Sequence, residues 1–125
     1  METMSSTAAT IEKEHLTWLK HLDFYKTQLT VMDKELMGFA KESSSKKVAP
    51  KVEQFQNQFI RQREVIDLLR HNVKQHENEI ERMTRFALEY LRDRVTKDHY
   101  VLRGEYNRFV ELFIEMEQDF HDFLA

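Results

Sequence analysis

Apolar residues return at alternating steps of four and three in three separate runs of this chain, and few folds accept such a pattern. The first run is Ile11, His15, Trp18, Leu22, Tyr25, Leu29, Met32, Leu36 and Phe39. The second is Val52, Phe55, Phe59, Gln62, Ile66, Leu69, Val73, His76 and Ile80. The third is Val95, His99, Leu102, Tyr106, Phe109, Phe113, Met116, Phe120 and Phe123. This spacing holds one seam on one face of an α-helix. A half-buried strand needs period two, and no such run occurs. Two glycines and one proline in 125 residues leave few breaks. The chain therefore reads as one all-α domain over residues 1–125. Its expected architecture is an antiparallel three-helix bundle with coiled-coil-like heptad packing.

Local signals place the helix ends. Thr10 is a suitable N-cap for helix 1, because its hydroxyl can accept a backbone N–H. Glu42-Ser43-Ser44-Ser45 favours a turn over a helix interior. Pro50 suits the first turn of helix 2, where its missing N–H costs nothing. Between the second and third runs the heptad phase slips across residues 84–94 with no glycine or proline to mark it. An unbroken helix over residues 50–124 would be a rod of about 110 Å, too long for helix 1 to cover without a partner chain. A break at 84–93 is preferred, giving helices over about 10–42, 48–83 and 94–124.

Short connections then set the register. Helices 1 and 2 run antiparallel with residue numbers summing to about 91, and helix 3 runs parallel to helix 1 at an offset of about 84. The layers read Trp18/Val73/Leu102, Leu22/Leu69/Tyr106, Tyr25/Ile66/Phe109 and on to Phe39/Val52/Phe123. A heptad run fits equally well after a seven-residue shift, so the connections choose this register and the pattern does not. All seam positions are apolar or tyrosine except Gln62 and three histidines.

Those histidines, His15, His76 and His99, fall in one layer near the bundle end that holds the second connection. Three inward-facing imidazoles can bind zinc, iron or copper. Glu12 precedes His15 by three residues on the same helix face, and Glu79 lies close by in this register; either could add a carboxylate. Glu12-Lys13-Glu14-His15 has the Glu-x-x-His spacing of di-iron bundles. That motif should occur twice, and neither Val73 before His76 nor Thr96 before His99 supplies the second copy. No His-Glu-x-x-His motif occurs. The competing readings are polar core residues bonded to one another, to water or to backbone near a frayed end, and a pH-sensing role. Gln62 could fix register mid-bundle. His21, His71 and His121 lie off the seam and are expected on the surface.

Other function classes find less support. Without cysteine there are no disulfides, thiolate metal sites or cysteine nucleophiles, which suits a reducing cytoplasm. Residues Met1 to Thr10 lack the pattern of a signal peptide, and the apolar runs are too short to span a bilayer. The net charge of −3 does not suit a nucleic-acid binder, although arginines and aromatics interleave over residues 82–103. No phosphate loop, dinucleotide fingerprint or hydrolase triad is present. Phe24, Val31 and Gly38 repeat on the outward side of helix 1, and Ile60, Leu68, Val110 and Ile114 add apolar surface. A homodimer or a helical protein partner is therefore an open expectation.

Glu14-His15-Leu16-Thr17-Trp18, Asp23-Phe24-Tyr25-Lys26 and Val52-Glu53-Gln54-Phe55-Gln56-Asn57-Gln58-Phe59-Ile60 resemble a family of short, uncharacterised bacterial helical proteins. Ile66-Asp67, Arg70-His71 and His76-Glu77 extend the resemblance, and Asp98-His99 does so more loosely. It implies a small cytoplasmic bundle and brings no activity. The family pattern has a proline near residue 88, where this chain has Leu88. Together these features read as a small non-enzymatic interaction or structural protein without a cofactor. The alternative is a metal-binding bundle that holds zinc or iron through His15, His76, His99 and Glu12.

Overall fold

Each seam folds as one long helix. The computed structural model describes residues 3–43 and 46–125. It contains α1 (Met4–Glu42), α2 (Ala49–Arg85) and α3 (Arg92–Leu124), with a 3-10 turn at Glu89–Leu91 leading into α3. The three pack as an antiparallel bundle. Asp23 meets Arg70, Lys26 meets Asp67 and Asp33 meets Arg63, so α2 descends as α1 rises. Tyr25 meets Phe109 at a ring-centroid distance of 5.6 Å and Phe39 meets Phe123 at 4.9 Å, so α3 rises with α1. This is the register that short connections imply.

α1 begins six residues before the expected start, and Thr10 is not its cap. Thr3 and Ser6 form a capping box instead: the Ser6 N–H donates to Thr3 Oγ1 at 3.1 Å, and the Thr3 N–H donates to Ser6 Oγ at 2.9 Å. The Thr10 hydroxyl donates to the Ser6 carbonyl. The seam continues upstream through Ala8 and Met4, and Ala8 carries little of the apolar signal. At the other end, α1 closes with the Ser43 N–H on the Phe39 carbonyl. Ser44 and Ser45 of the expected turn lie outside the described residues. Pro50 stands in the first turn of α2.

The break between α2 and α3 has a specific construction. The Leu88 N–H donates to the Met83 carbonyl at 2.9 Å, and the Ala87 N–H to the Thr84 carbonyl at 3.4 Å. These two bonds define a Schellman motif, in which the residue after the cap is left-handed. Ala87 holds that position with φ 52°. Glycine is the usual occupant, and its absence is why the turn carries no sequence mark. Leu88 completes the motif by packing on the cluster that contains Met83.

The core divides into two apolar clusters. The larger runs from Trp18 and Leu102 to Leu36, Val52 and Phe120. The smaller contains Ala8, Ile11, Ile80, Met83, Leu91 and Val95, with Met4 and Leu88 packed against it. The histidine layer lies between them. It is interior, whereas a helix 1 starting at Thr10 would leave it one layer in from the bundle end. The early turns of α1 and the α2–α3 connection supply the additional cover. Gln62 is half-buried, and its Oε1 has no hydrogen-bond partner.

A left-handed alanine carries a steric penalty that glycine avoids. Ala87→Gly should therefore raise the unfolding free energy by about 1 kcal/mol, after allowance for the looser unfolded chain. Guanidinium unfolding with an unchanged slope and a higher midpoint is the expected result.

Candidate functional site

α1, α2 and α3 each contribute one histidine to the layer, because each histidine occupies a seam position. His15 is 0% exposed, and His76 and His99 are each 4% exposed. Ring centroids lie 5.2 Å apart for His15–His76, 5.2 Å for His15–His99 and 5.7 Å for His76–His99. One ring nitrogen from each histidine lies within 4.8 Å of those from the other two. Trp18 stacks on His99 at 5.0 Å and on Tyr106 at 5.3 Å, walling the layer on the side of the larger cluster.

The nitrogens turned away from the layer each face an acceptor. His76 Nε2 lies 2.9 Å from the Val95 carbonyl. His99 Nε2 is hydrogen-bonded to Glu14 Oε1. Arg103 holds the same carboxylate, with Nη2 at 2.8 Å from Oε1 and Nε at 3.1 Å from Oε2. His15 Nδ1 lies 3.4 Å from Glu77 Oε1, within ion-pair range but without hydrogen-bond geometry. His15 Nε2 and His76 Nδ1 face each other at 3.3 Å. His99 Nδ1 is buried with no partner.

Proton accounting shows what this arrangement lacks. A carbonyl only accepts, so His76 Nε2 carries the proton and Nδ1 of the neutral ring is a bare lone pair. If His15 Nε2 donates to that lone pair, His15 Nδ1 is left bare against the Glu77 carboxylate. If His15 Nδ1 is protonated toward Glu77, two lone pairs face each other at 3.3 Å. His99 donates to Glu14 and so leaves Nδ1 bare. Neutral tautomers always leave electron pairs that no protein donor matches. A full proton is disfavoured as well: burial first, then the neighbouring His76 and His99, holds the His15 pKa down at about 4. Burial also lowers that of His99 despite the opposing pull of Glu14. Burial would raise the pKa of Glu14, but Arg103 and His99 more than offset it and keep the carboxyl below its usual range.

The carboxylates at the layer are therefore Glu14 and Glu77. Glu12 is exposed and stands outside the histidine group. Glu79 pairs with Arg94 at 3.1 Å. The three-residue spacing puts Glu12 on the helix face of His15, whereas Glu14 reaches across to α3. Its immediate adjacency to a seam position was the available signal, since flanking residues lean on the neighbouring helix. His21, His71 and His121 are exposed, with His21 Nδ1 at 2.7 Å from the Tyr106 hydroxyl. In the basic stretch, Arg85, Arg92, Arg94 and Arg103 each lie beside a carboxylate. Among the described residues no helix is long and apolar enough to cross a membrane.

Compared with known proteins, the chain matches no family model, no curated protein and no solved structure. The reading of the site rests on its geometry.

The lowered histidine pKa values set a pH dependence for chelator-treated protein. An unfolded histidine titrates at about 6.5, whereas folded His15 titrates at about 4. Between these values the unfolded chain binds the proton and the fold does not. Stability should be complete above the unfolded value and be lost as pH falls toward the folded one. Urea midpoints across this range measure it, and His15→Leu should reduce the slope. A flat profile would contradict a buried neutral layer.

Proposed function

We propose that this bundle binds one divalent transition-metal ion, zinc or iron, through His15, His76 and His99. The observation that carries the reading is the set of ring nitrogens that no neutral tautomer satisfies. With a cation in the layer, His15 Nε2, His76 Nδ1 and His99 Nδ1 are its ligands, and each opposite nitrogen is an N–H donor. Those N–H groups then belong to Glu77, Val95 and Glu14, the outer acceptors that metal-bound imidazoles ordinarily have. The His15–His76 spacing of 3.3 Å supports this reading. Two nitrogens on one tetrahedral zinc are about 3.3–3.4 Å apart. One nitrogen from each ring lies within 4.8 Å of the other two, so the rings draw in by about 1 Å on loading. Glu12 is not a ligand in this proposal.

Protein purified without a nickel tag should carry one equivalent of zinc or iron, and chelation should lower its melting temperature. Zinc added back at about a hundredfold excess over Kd should stabilise the fold by about 2.7 kcal/mol. His99→Leu should stay folded, since leucine suits a seam position, and lose the response to metal. Absence of metal together with no stabilisation by either ion would end the proposal.

A second reading, an interaction or structural protein without enzymatic activity, is favoured by a separate observation. α2 and α3 leave a groove of about 540 Å³ lined by Val65, Leu68, Tyr100, Val101 and Leu112. Leu68 and Val101 are 58% and 60% exposed. Glu105 and Arg108 also line it. A second copy related by a two-fold axis would set each of these charges against the other, as an isologous interface requires. Sedimentation should then show a dimer that Val101→Glu disrupts, whereas a monomer at all concentrations removes self-association. The lack of cysteine is consistent with a cytoplasmic setting for either reading.

A further inference from the structure

We infer that the ion held by the three histidines keeps a fourth, exchangeable position, and that a small oxyanion reaches it through a cleft between α1 and α3. This rests on the metal reading above. Among the described residues no other side chain joins the three histidines as a fourth ligand. Glu14 and Glu77 are on the outward nitrogens of His99 and His15. The layers on either side are apolar: Ile11, Ile80 and Val95 on one side, Trp18, Val73 and Leu102 on the other. A zinc ion with three protein ligands keeps an open position for water or substrate. Three neutral imidazoles bring no charge to the ion, and the Glu14 and Glu77 carboxylates lie only on outward nitrogens, so the open position favours an anion.

The cleft shows independent signs of a ligand. It has a volume of about 90 Å³ and is lined by Thr7, Thr10, Thr96, His99 and Arg103. That space suits a molecule of a few heavy atoms, since a water takes about 30 Å³. Thr7 is 6% exposed and its Oγ1 has no hydrogen-bond partner. Among the described residues the other helical threonines, at 10, 17, 27, 30, 84 and 96, each donate to the carbonyl four residues back. Thr7 cannot readily follow them, because the Thr3 carbonyl already accepts from the Thr7 N–H and the Ser6 hydroxyl. A buried hydroxyl without a partner is costly, and Thr7 lines the same cleft as His99. Arg103 spends Nε and Nη2 on Glu14 and retains the N–H groups of Nη1. A hydroxyl donor, a guanidinium and the ion together select a compact monoanion of formate or bicarbonate size.

The test uses the full chain loaded with cobalt(II), whose visible bands report its coordination, and azide as the probe. Azide should change the bands saturably, and formate should compete with it. Thr7→Val should weaken azide on the order of tenfold, as expected for a lost hydrogen bond to a charged group, with cobalt stoichiometry unchanged. Thr7→Ser should keep the wild-type response. Bound cobalt with bands indifferent to azide would overturn the open position while leaving the metal reading in place. Equal azide affinity in Thr7→Val and wild type would overturn the cleft as the route. Failure to bind cobalt at all would overturn the metal reading itself.

Discussion

Three helices that bury a common seam must agree on register, and every layer of this bundle depends on that agreement. Once α1 and α2 pair in opposite directions and α3 returns alongside α1, a residue on one helix determines its neighbours on the other two. Apolar packing alone leaves a seven-residue ambiguity. Surface charges reduce it: sliding α2 by seven residues in one direction would bring Asp23 opposite Glu77 and Lys26 opposite Lys74. The observed pairs, Asp23–Arg70 and Lys26–Asp67, are exposed, and such pairs contribute about 0.2–1 kcal/mol each. Their value lies in the contrast with the slipped alternative.

The same agreement carries three polar rings into the interior, where unmatched polar atoms are expensive. The outer nitrogens face Val95, Glu14 and Glu77. The inner ones have at most one proton to share between His15 and His76 and none for His99 Nδ1, and that imbalance is the chemical content of the site. Trp18 gives it a firm wall and Arg103 restrains Glu14, so the rings are held from outside while their lone pairs converge.

Much of this was legible in the residue order. Steps of four and three mark the helices, and short connections give a register that Phe39–Phe123 and Tyr25–Phe109 reproduce. The convergence of His15, His76 and His99 follows from the same arithmetic. The start of α1 was hidden because Ala8 and Thr7 are buried yet scarcely hydrophobic. The form of the second turn was hidden because Ala87 takes a conformation usually given to glycine. Glu14 was missed for a different reason. Hydrophobic periodicity shows which residues face the seam, but not which neighbouring helix a flanking charge leans on.

The division of the histidines between α2–α3 and α1 bears on how the layer assembles. His76 and His99 belong to one helical hairpin closed by the Schellman turn, so a short loop closure brings them together. His15 is 61 residues from His76 and arrives only when α1 docks. Contacts of short sequence separation form at the least entropic cost. Two of the three imidazoles can thus be stacked before the third helix is in place, and α1 then closes over a half-built layer.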